Sequence, residues 1–262
     1  MQSLKSGSEV IHFDDRGPRE DFAIVFLNSL GTDFRVWDKL LDVLGDRFRT
    51  VRMDKRGHGL STNYKDDISI ENLAKDVSGL VDSLNLKNIC VVGLSIGGLI
   101  ALELIRQRPN LCNKLILSDT APKIGSENMW AERIKRVQEG SIEAISDDIL
   151  ARWFSNEFLK NKTVELQMWR SMLTRTTKSG YIGCCEAISQ CDLTEQAKLI
   201  NIPTLVIVGD EDGSTPVNLV KDAANLIDGS IFKVIKKAGH LPCVEQPNEV
   251  ASIFLEFLEN NT

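Results

Sequence analysis

The chain has 262 residues, with 31 Lys and Arg against 37 Asp and Glu, a net charge of −6, 42% hydrophobic residues, six Cys and three His. This length and composition supply ample core for one large domain or two small ones, and exclude a disordered, collagen-like or disulfide-scaffolded protein. Mild acidity argues against nucleic-acid recognition, because phosphate contacts need a basic face, and three histidines leave little for a poly-His metal centre.

From the N-terminus, Met1–Val10 is polar and lacks the apolar run of a signal peptide. His12 falls in a polar, hairpin-like stretch and reads as a surface residue. Phe22–Leu27 (FAIVFL) is the first strand, followed by the loop Asn28–Asp33 and a helical pattern over Phe34–Leu44. A strand over Phe48–Met53 then leads into the tight loop Arg56-Gly57-His58-Gly59, where His58 reads as a turn-stabilising residue. A helix over Ile70–Leu84 precedes the strand Ile89–Val92, the segment Gly93-Leu94-Ser95-Ile96-Gly97 and a helix over Ile96–Gln107. Lys114–Leu117 is the next strand.

The alternation of strand and helix then stops. Pro122–Cys191 is charged and helical in pattern, and it holds three of the four Trp: Trp130, Trp153 and Trp169. It reads as a helical cap, residues 122–191, inserted into a core formed by residues 1–121 and 192–262. An insertion of this length at a strand end usually covers a site. The rhythm resumes with the strand Thr204–Val208, the acidic loop Gly209-Asp210-Glu211-Asp212-Gly213 and Thr215-Pro216 as a helix start. A helix over Val217–Ile227, the strand Ile231–Ile235, the segment Ala238-Gly239-His240 and a helix over Glu249–Leu258 complete the chain. The fold class is therefore α/β, with a mostly parallel central sheet flanked by helices.

No segment reaches the roughly 20 apolar residues of a membrane span. Cys90, Cys112, Cys184, Cys185, Cys191 and Cys243 form no C-x-x-C pair, so reduced thiols in a cytoplasmic protein are expected, without bound metal.

The G-x-S-x-G pattern is weak alone and gains weight from its place between a buried strand and a helix. A sharp strand-to-helix turn exposes the central Ser95 at the sheet edge and brings backbone N–H groups of the helix start beside it. A serine hydroxyl needs a base to take its proton. His240 follows the last strand, and loops after parallel strands gather at one sheet edge, so His240 is the expected base. A carboxylate must orient it. Asp212 is the first choice and Asp210 the reserve. Two N–H donors must face the developing oxyanion: Ile96, after the nucleophile, and Leu30, in the loop after the first parallel strand.

The order Ser95, Asp212, His240 is that of α/β-hydrolases, and the chain resembles that superfamily over its whole length. More narrowly, it resembles the 3-oxoadipate enol-lactonases of bacterial aromatic catabolism. The segments that carry the likeness are NSLGTDFRVWD (Asn28–Asp38), DKRGHGLS (Asp54–Ser61), GLSIGG (Gly93–Gly98), KIGSENMWAERI (Lys123–Ile134), GYIGCCEAISQCDL (Gly180–Leu193) and AGHLPCVEQP (Ala238–Pro247). Many members of the superfamily carry His-Gly where this chain has Asn28-Ser29.

The resemblance implies hydrolysis of a small anionic lactone to 3-oxoadipate, with no metal or organic cofactor, and a helical cap that closes over the substrate. Trp130 and Arg133, three apart on one predicted cap helix, share a face. Trp130 would pack on the lactone and Arg133 pair with its carboxylate; the alternative has Trp130 and Ile134 anchoring the cap. A carboxylesterase or other small-ester hydrolase is the nearest rival function, and a ligand sensor with slow hydrolysis is another. Oligomeric state, isomer preference and source pathway stay open at this level.

Overall fold

The computed structural model describes residues 1–19, 22–63 and 68–260. Strands β1 (Gln2–Ser6), β2 (Glu9–Arg16), β3 (Phe22–Leu27) and β4 (Arg49–Met53) form the first half of one eight-stranded sheet; β5 (Asn88–Leu94), β6 (Cys112–Ser118), β7 (Thr204–Gly209) and β8 (Ile231–Ile235) complete it. The spatial order is β1-β2-β4-β3-β5-β6-β7-β8. β1 pairs antiparallel with β2, and β2 antiparallel with β4. Every other pairing is parallel.

The six strands expected from the sequence are therefore β3 to β8, the parallel part of the sheet, with ends moved by a residue or two. The interior strands are apolar because helices cover both faces. The edge strand β8 keeps only Ile235 buried. The β1–β2 hairpin escapes the sequence patterns for a physical reason. The inward face of β2 consists of Glu9, Ile11, Phe13 and Asp15, so two of its four buried positions are acidic. Asp15 is satisfied there by Arg49, with Nε and Nη2 each 2.9 Å from its oxygens. His12, expected at the surface, lies instead on β2. Its Nδ1 is 2.8 Å from Asp54 and its ring stacks on Phe34, leaving 13% of the side chain exposed.

Helices α1 (Asp38–Leu44), α2 (Ile70–Ser83) and α3 (Ile96–Gln107) follow β3, the β4 loop and β5. A 3₁₀ turn, Phe34–Trp37, precedes α1, so the expected Phe34–Leu44 helix is two pieces. α3 buries all of Ile96–Ile105 and runs against β3 and β5. That contact is possible because Gly97 has no side chain: a Cβ there would stand 2.2 Å from the Leu27 carbonyl oxygen.

Between β6 and β7 lie α4 (Glu127–Glu139), α5 (Ser146–Trp153), α6 (Asn156–Asn161), α7 (Thr163–Thr174) and α8 (Lys178–Ser189), then the single turn α9 (Thr194–Ala197). No strand interrupts the 122–191 segment among the described residues. Trp130, Trp153 and Trp169 are all buried, so their apolar area holds these helices on the core. Helices α10 (Val217–Asn225), α11 (Pro242–Glu245) and α12 (Pro247–Asn260) close the chain. All six cysteines are free, and five are buried. Among the described residues no helix is long and apolar enough to cross a membrane.

Candidate active site

The carboxyl ends of the parallel strands bring one set of residues together. At the end of β5, Ser95 has φ 58° and ψ −121°, a conformation that costs an L-residue about 1–3 kcal/mol and is held by its surroundings. The restraint is visible: Ser95 N–H donates to Ser118 O at 3.0 Å and Thr120 Oγ1 donates to Ser95 O at 2.7 Å. A Cβ on Gly93 would lie 2.5 Å from Gly97 O, so the turn can be this tight only with glycines on both sides. Ile96 begins α3, and helix geometry leaves its N–H without an intrahelical acceptor.

His240, after β8, and Asp212, after β7, form a buried pair with Nδ1 2.9 Å from Oδ2. Their side chains are 2% and 0% exposed. Asp212 also accepts from Ser214 N–H at 2.7 Å, Thr215 N–H at 3.0 Å and Thr215 Oγ1 at 2.6 Å. Burial alone would raise this carboxyl; the facing imidazole and these donors outweigh it and hold it below the usual carboxylate range. Thr215, expected as a helix cap, thus spends its hydroxyl on Asp212. Asp210, the reserve, faces away: it accepts from Ala238 N–H at 3.3 Å and lies 3.6 Å from Lys236 Nζ.

A second carboxyl adjoins this pair. Asp119, after β6, is fully buried, with Oδ1 accepting from Gly209 N–H at 2.9 Å and Oδ2 from Ser118 Oγ at 2.6 Å. Burial first, and the charge of Asp212 second, push it well above the usual carboxylate range. Asp119, Asp212 and His240 present ligand-type atoms within 4.8 Å of one another. Hydrogen bonds from Gly209 N–H, Ser118 Oγ, Thr215 Oγ1 and His240 Nδ1 engage the carboxylate oxygens of the cluster.

Ser95, His240, Leu30 and Ser29 line one cavity of about 40 Å³ with Trp130, Arg133, Arg152 and Tyr181. Ser95 Oγ and His240 are not within hydrogen-bond geometry of one another, although both line this cavity. Trp130 and Arg133 do share a face: the guanidinium lies 4.7 Å from the indole centroid. Trp130 also donates its indole N–H to Ile124 O at 2.7 Å, so the residue both lines the cavity and ties the cap together. Sequence reasoning missed Arg152, Tyr181 and Ser29. Arg133 and Arg152 have no carboxylate partner among the described residues, leaving two guanidinium groups at the wall. Ser29 Oγ is buried without a hydrogen-bond partner among the described residues. A larger cavity, about 530 Å³, lies between the Phe34–Trp37 turn and α7, away from Ser95. Its cations are largely committed, Arg35 to Asp33 and Lys39 to Glu165.

The helical segment between β6 and β7 is stitched to the loops that hold Asp212 and His240. Gly213 N–H donates to Arg152 O at 3.3 Å. Glu245 accepts from Ser155 Oγ at 2.5 Å and from Gly239 N–H at 2.7 Å, bridging the α5–α6 junction to the residue before His240.

A serine on a strained turn, an oriented imidazole and the Leu30 loop lining one small cavity, with the Ile96 N–H at the helix start next to the serine, are the equipment of nucleophilic acyl transfer. The sequence matches the family described as alpha/beta hydrolase fold over residues 23–247, and the chain belongs to that family of hydrolases. Among its relatives is 3-oxoadipate enol-lactonase 1 of Acinetobacter baylyi, 34% identical over 245 residues, which cover 93% of this chain and 91% of that one. The crystal structure of the enol-lactonase from Burkholderia xenovorans LB400 superposes with a TM-score of 0.92 at 32% identity, covering 98% of this chain and 99% of that one. A thermophilic esterase from Thermogutta terrifontis gives the same TM-score at 26% identity, with 100% of both chains covered.

Proposed function

We propose that this hydrolase opens an anionic enol-lactone, 3-oxoadipate enol-lactone, through a Ser95–His240–Asp212 triad. The observation that carries the reading is the placement of the Ser95 turn in one cavity with Arg133 and Arg152, two arginines without a carboxylate partner among the described residues. Enol-lactonases among the relatives support the choice of substrate.

His240 takes the Ser95 proton as Oγ attacks the lactone carbonyl, and Asp212 stabilises the imidazolium. The oxyanion accepts from the N–H groups of Leu30 and Ile96. On collapse the ring C–O bond breaks and the ring oxygen leaves as an enolate; the His240 imidazolium returns its proton to it, giving the enol that tautomerises to the ketone and leaving His240 neutral. Because the ester is cyclic, the acyl-enzyme keeps the whole carbon skeleton. Water, deprotonated by His240, attacks the acyl carbon and releases Ser95 and the dicarboxylate. No step invokes a metal or an organic cofactor. The net −6 charge does not draw an anion globally, so Arg133 and Arg152 supply a local bidentate partner for the carboxylate. A cavity of about 40 Å³ is far below the usual 300–1,000 Å³ of ligand sites, so admitting substrate requires the wall formed by Trp130 and Arg133 on α4 to open.

The test is kcat/KM on the enol-lactone beside p-nitrophenyl acetate, for the wild type and Ser95→Ala. Lactone preference of about 10³ or more with an inactive, folded Ser95→Ala is expected. Activity in that variant would sink the triad. Equal or better turnover of the aryl ester would instead favour a general carboxylesterase, the reading supported by the likeness to the Thermogutta esterase.

A further inference from the structure

The loop Asn28–Asp33 is held from beneath by a lysine. Lys55, two residues beyond β4, is 4% exposed, and its Nζ donates to Ser29 O at 2.6 Å and to Thr32 O at 3.2 Å. No carboxylate lies within ion-pair distance among the described residues. A buried ammonium without a counter-ion is costly, and here two backbone carbonyls of one loop are its hydrogen-bond partners.

One of those carbonyls matters chemically. Ser29 C=O and Leu30 N–H belong to the same peptide unit, which is planar and trans. When the carbonyl is fixed on Lys55, the N–H is fixed in the opposite direction. Ser29 O also accepts from Thr32 Oγ1 at 2.9 Å and Thr32 N–H at 3.3 Å. The next peptide is pinned as well: Gly31 N–H donates to His58 Nε2 at 3.1 Å, while His58 Nδ1–H donates to Arg56 O at 3.0 Å. A hydrogen bond from a charged donor polarises the amide that receives it and strengthens that amide's own N–H as a donor.

We infer that Lys55 is a positioning residue of the oxyanion hole, its ammonium fixing and polarising the Ser29–Leu30 peptide so that Leu30 N–H is aimed and strengthened for the oxyanion. This rests on the proposed role of Leu30.

The arrangement carries a pH signature. Burial pulls Lys55 down to about 8, against the opposing influence of the Cys184 thiol on α8 and the Asp54 and Asp33 carboxylates. His58, held well below the usual imidazole range by its own burial and by Lys55, stays neutral across the same window. As pH rises through about 8, Lys55 becomes an amine and the charge-assisted bond to Ser29 O is lost.

The experiment measures kcat and KM for p-nitrophenyl acetate from pH 6 to 10 in the wild type, Lys55→Met and Lys55→Arg. A fluorophosphonate probe scores Ser95 labelling in each. Removing one oxyanion donor costs roughly 10²–10³ in rate, so weakening one is expected to cost Lys55→Met about 10- to 100-fold in kcat at pH 7, with KM within about threefold. The wild-type kcat falls above pH 8; Lys55→Met lacks that limb, and Lys55→Arg restores rate and moves the limb beyond pH 10. A folded Lys55→Met with wild-type kcat overturns the inference, as does a limb that persists in it. If Lys55→Met does not fold, the wild type against Lys55→Arg decides: an unmoved limb, or no limb near 8, overturns it. An unlabelled wild-type Ser95 defeats the serine-hydrolase reading itself, whereas labelling with flat Lys55 results defeats only this inference.

Discussion

Replacing Asp212 by Asn tests the acid–base pair most directly. The substitution keeps the size of the side chain and removes its charge. In the wild type, His240 Nδ1 meets Asp212 Oδ2 at 2.9 Å with both side chains buried. When Ser95 attacks, the imidazole becomes an imidazolium about 4 Å from a carboxylate charge. At an effective dielectric near 20 that attraction is about 4 kcal/mol, or about 10³ in rate. Asn also turns an N–H toward Nδ1 in place of an acceptor. The ring then favours the tautomer with its proton on Nε2, facing Ser95, which adds roughly another factor of 10. The expected loss for Asp212→Asn is therefore about 10⁴ in kcat, near 5.5 kcal/mol. Asp210→Asn is the control. That side chain holds only a 3.3 Å bond from Ala238 N–H and a 3.6 Å contact to Lys236, so its kcat is expected within about threefold of wild type. Stopped assays with p-nitrophenyl acetate, with circular dichroism to verify folding, read both. Asp212→Asn retaining more than about a tenth of wild-type kcat, or Asp210→Asn falling as far as Asp212→Asn, would refute the reasoning.

Arg133→Ala is expected to raise KM for the anionic lactone about 10- to 100-fold, the worth of one charge-assisted hydrogen bond, and to leave a neutral aryl ester within about threefold. An unchanged lactone KM would remove Arg133 from substrate binding. Asp119 binds its proton more tightly folded than unfolded, because burial and Asp212 raise its pKa. The native state therefore holds the extra proton above the unfolded value near 4, and stability from this group falls as pH rises through that window. Asp119→Asn removes the effect, so its melting temperature relative to wild type is expected to rise from pH 4 to pH 7; a constant offset would show that Asp119 ionises normally. Gly97→Ala would push a Cβ to 2.2 Å from Leu27 O and is expected to cost about 3 kcal/mol in urea unfolding, whereas Gly79→Ala, on α2 with nothing within 4 Å, is expected to gain up to about 1 kcal/mol. Equal midpoints for the two variants would mean that α3 is not held against β3 as described.

Sequence patterns revealed the parts of this fold whose physics is local. Burial on both faces makes β3, β5, β6 and β7 continuous apolar runs. The Ser95 turn is legible because its glycines are chain neighbours of the residue they serve. β2 stayed hidden because its buried face uses Glu9 and Asp15, made tolerable only by partners distant in the chain. The choice between Asp212 and Asp210 could not be read from the acidic loop, since both follow β7 and only the turn geometry aims one at His240. Lys55, Ser29 and Arg152 stayed hidden for a related reason. Their significance lies in a missing partner or in a hydrogen bond to a carbonyl more than 20 residues away, and no spacing rule encodes either.

The stitching of the α5–α6 junction to the Asp212 and His240 loops bears on how such a protein diversifies. A segment joined only at residues 122 and 191 would be a detachable module, exchangeable with that of another hydrolase without touching the chemistry. Here the middle of the segment is riveted through Arg152, Ser155 and Glu245 to the backbone on either side of Asp212 and His240. A chimera crossing over at the two ends alone would deliver a new specificity surface on a misaligned acid–base pair. The productive units of recombination are smaller: α4 and its contact with α8 can vary, while the Arg152–Ser155 stretch travels with Glu245 as part of the core it serves.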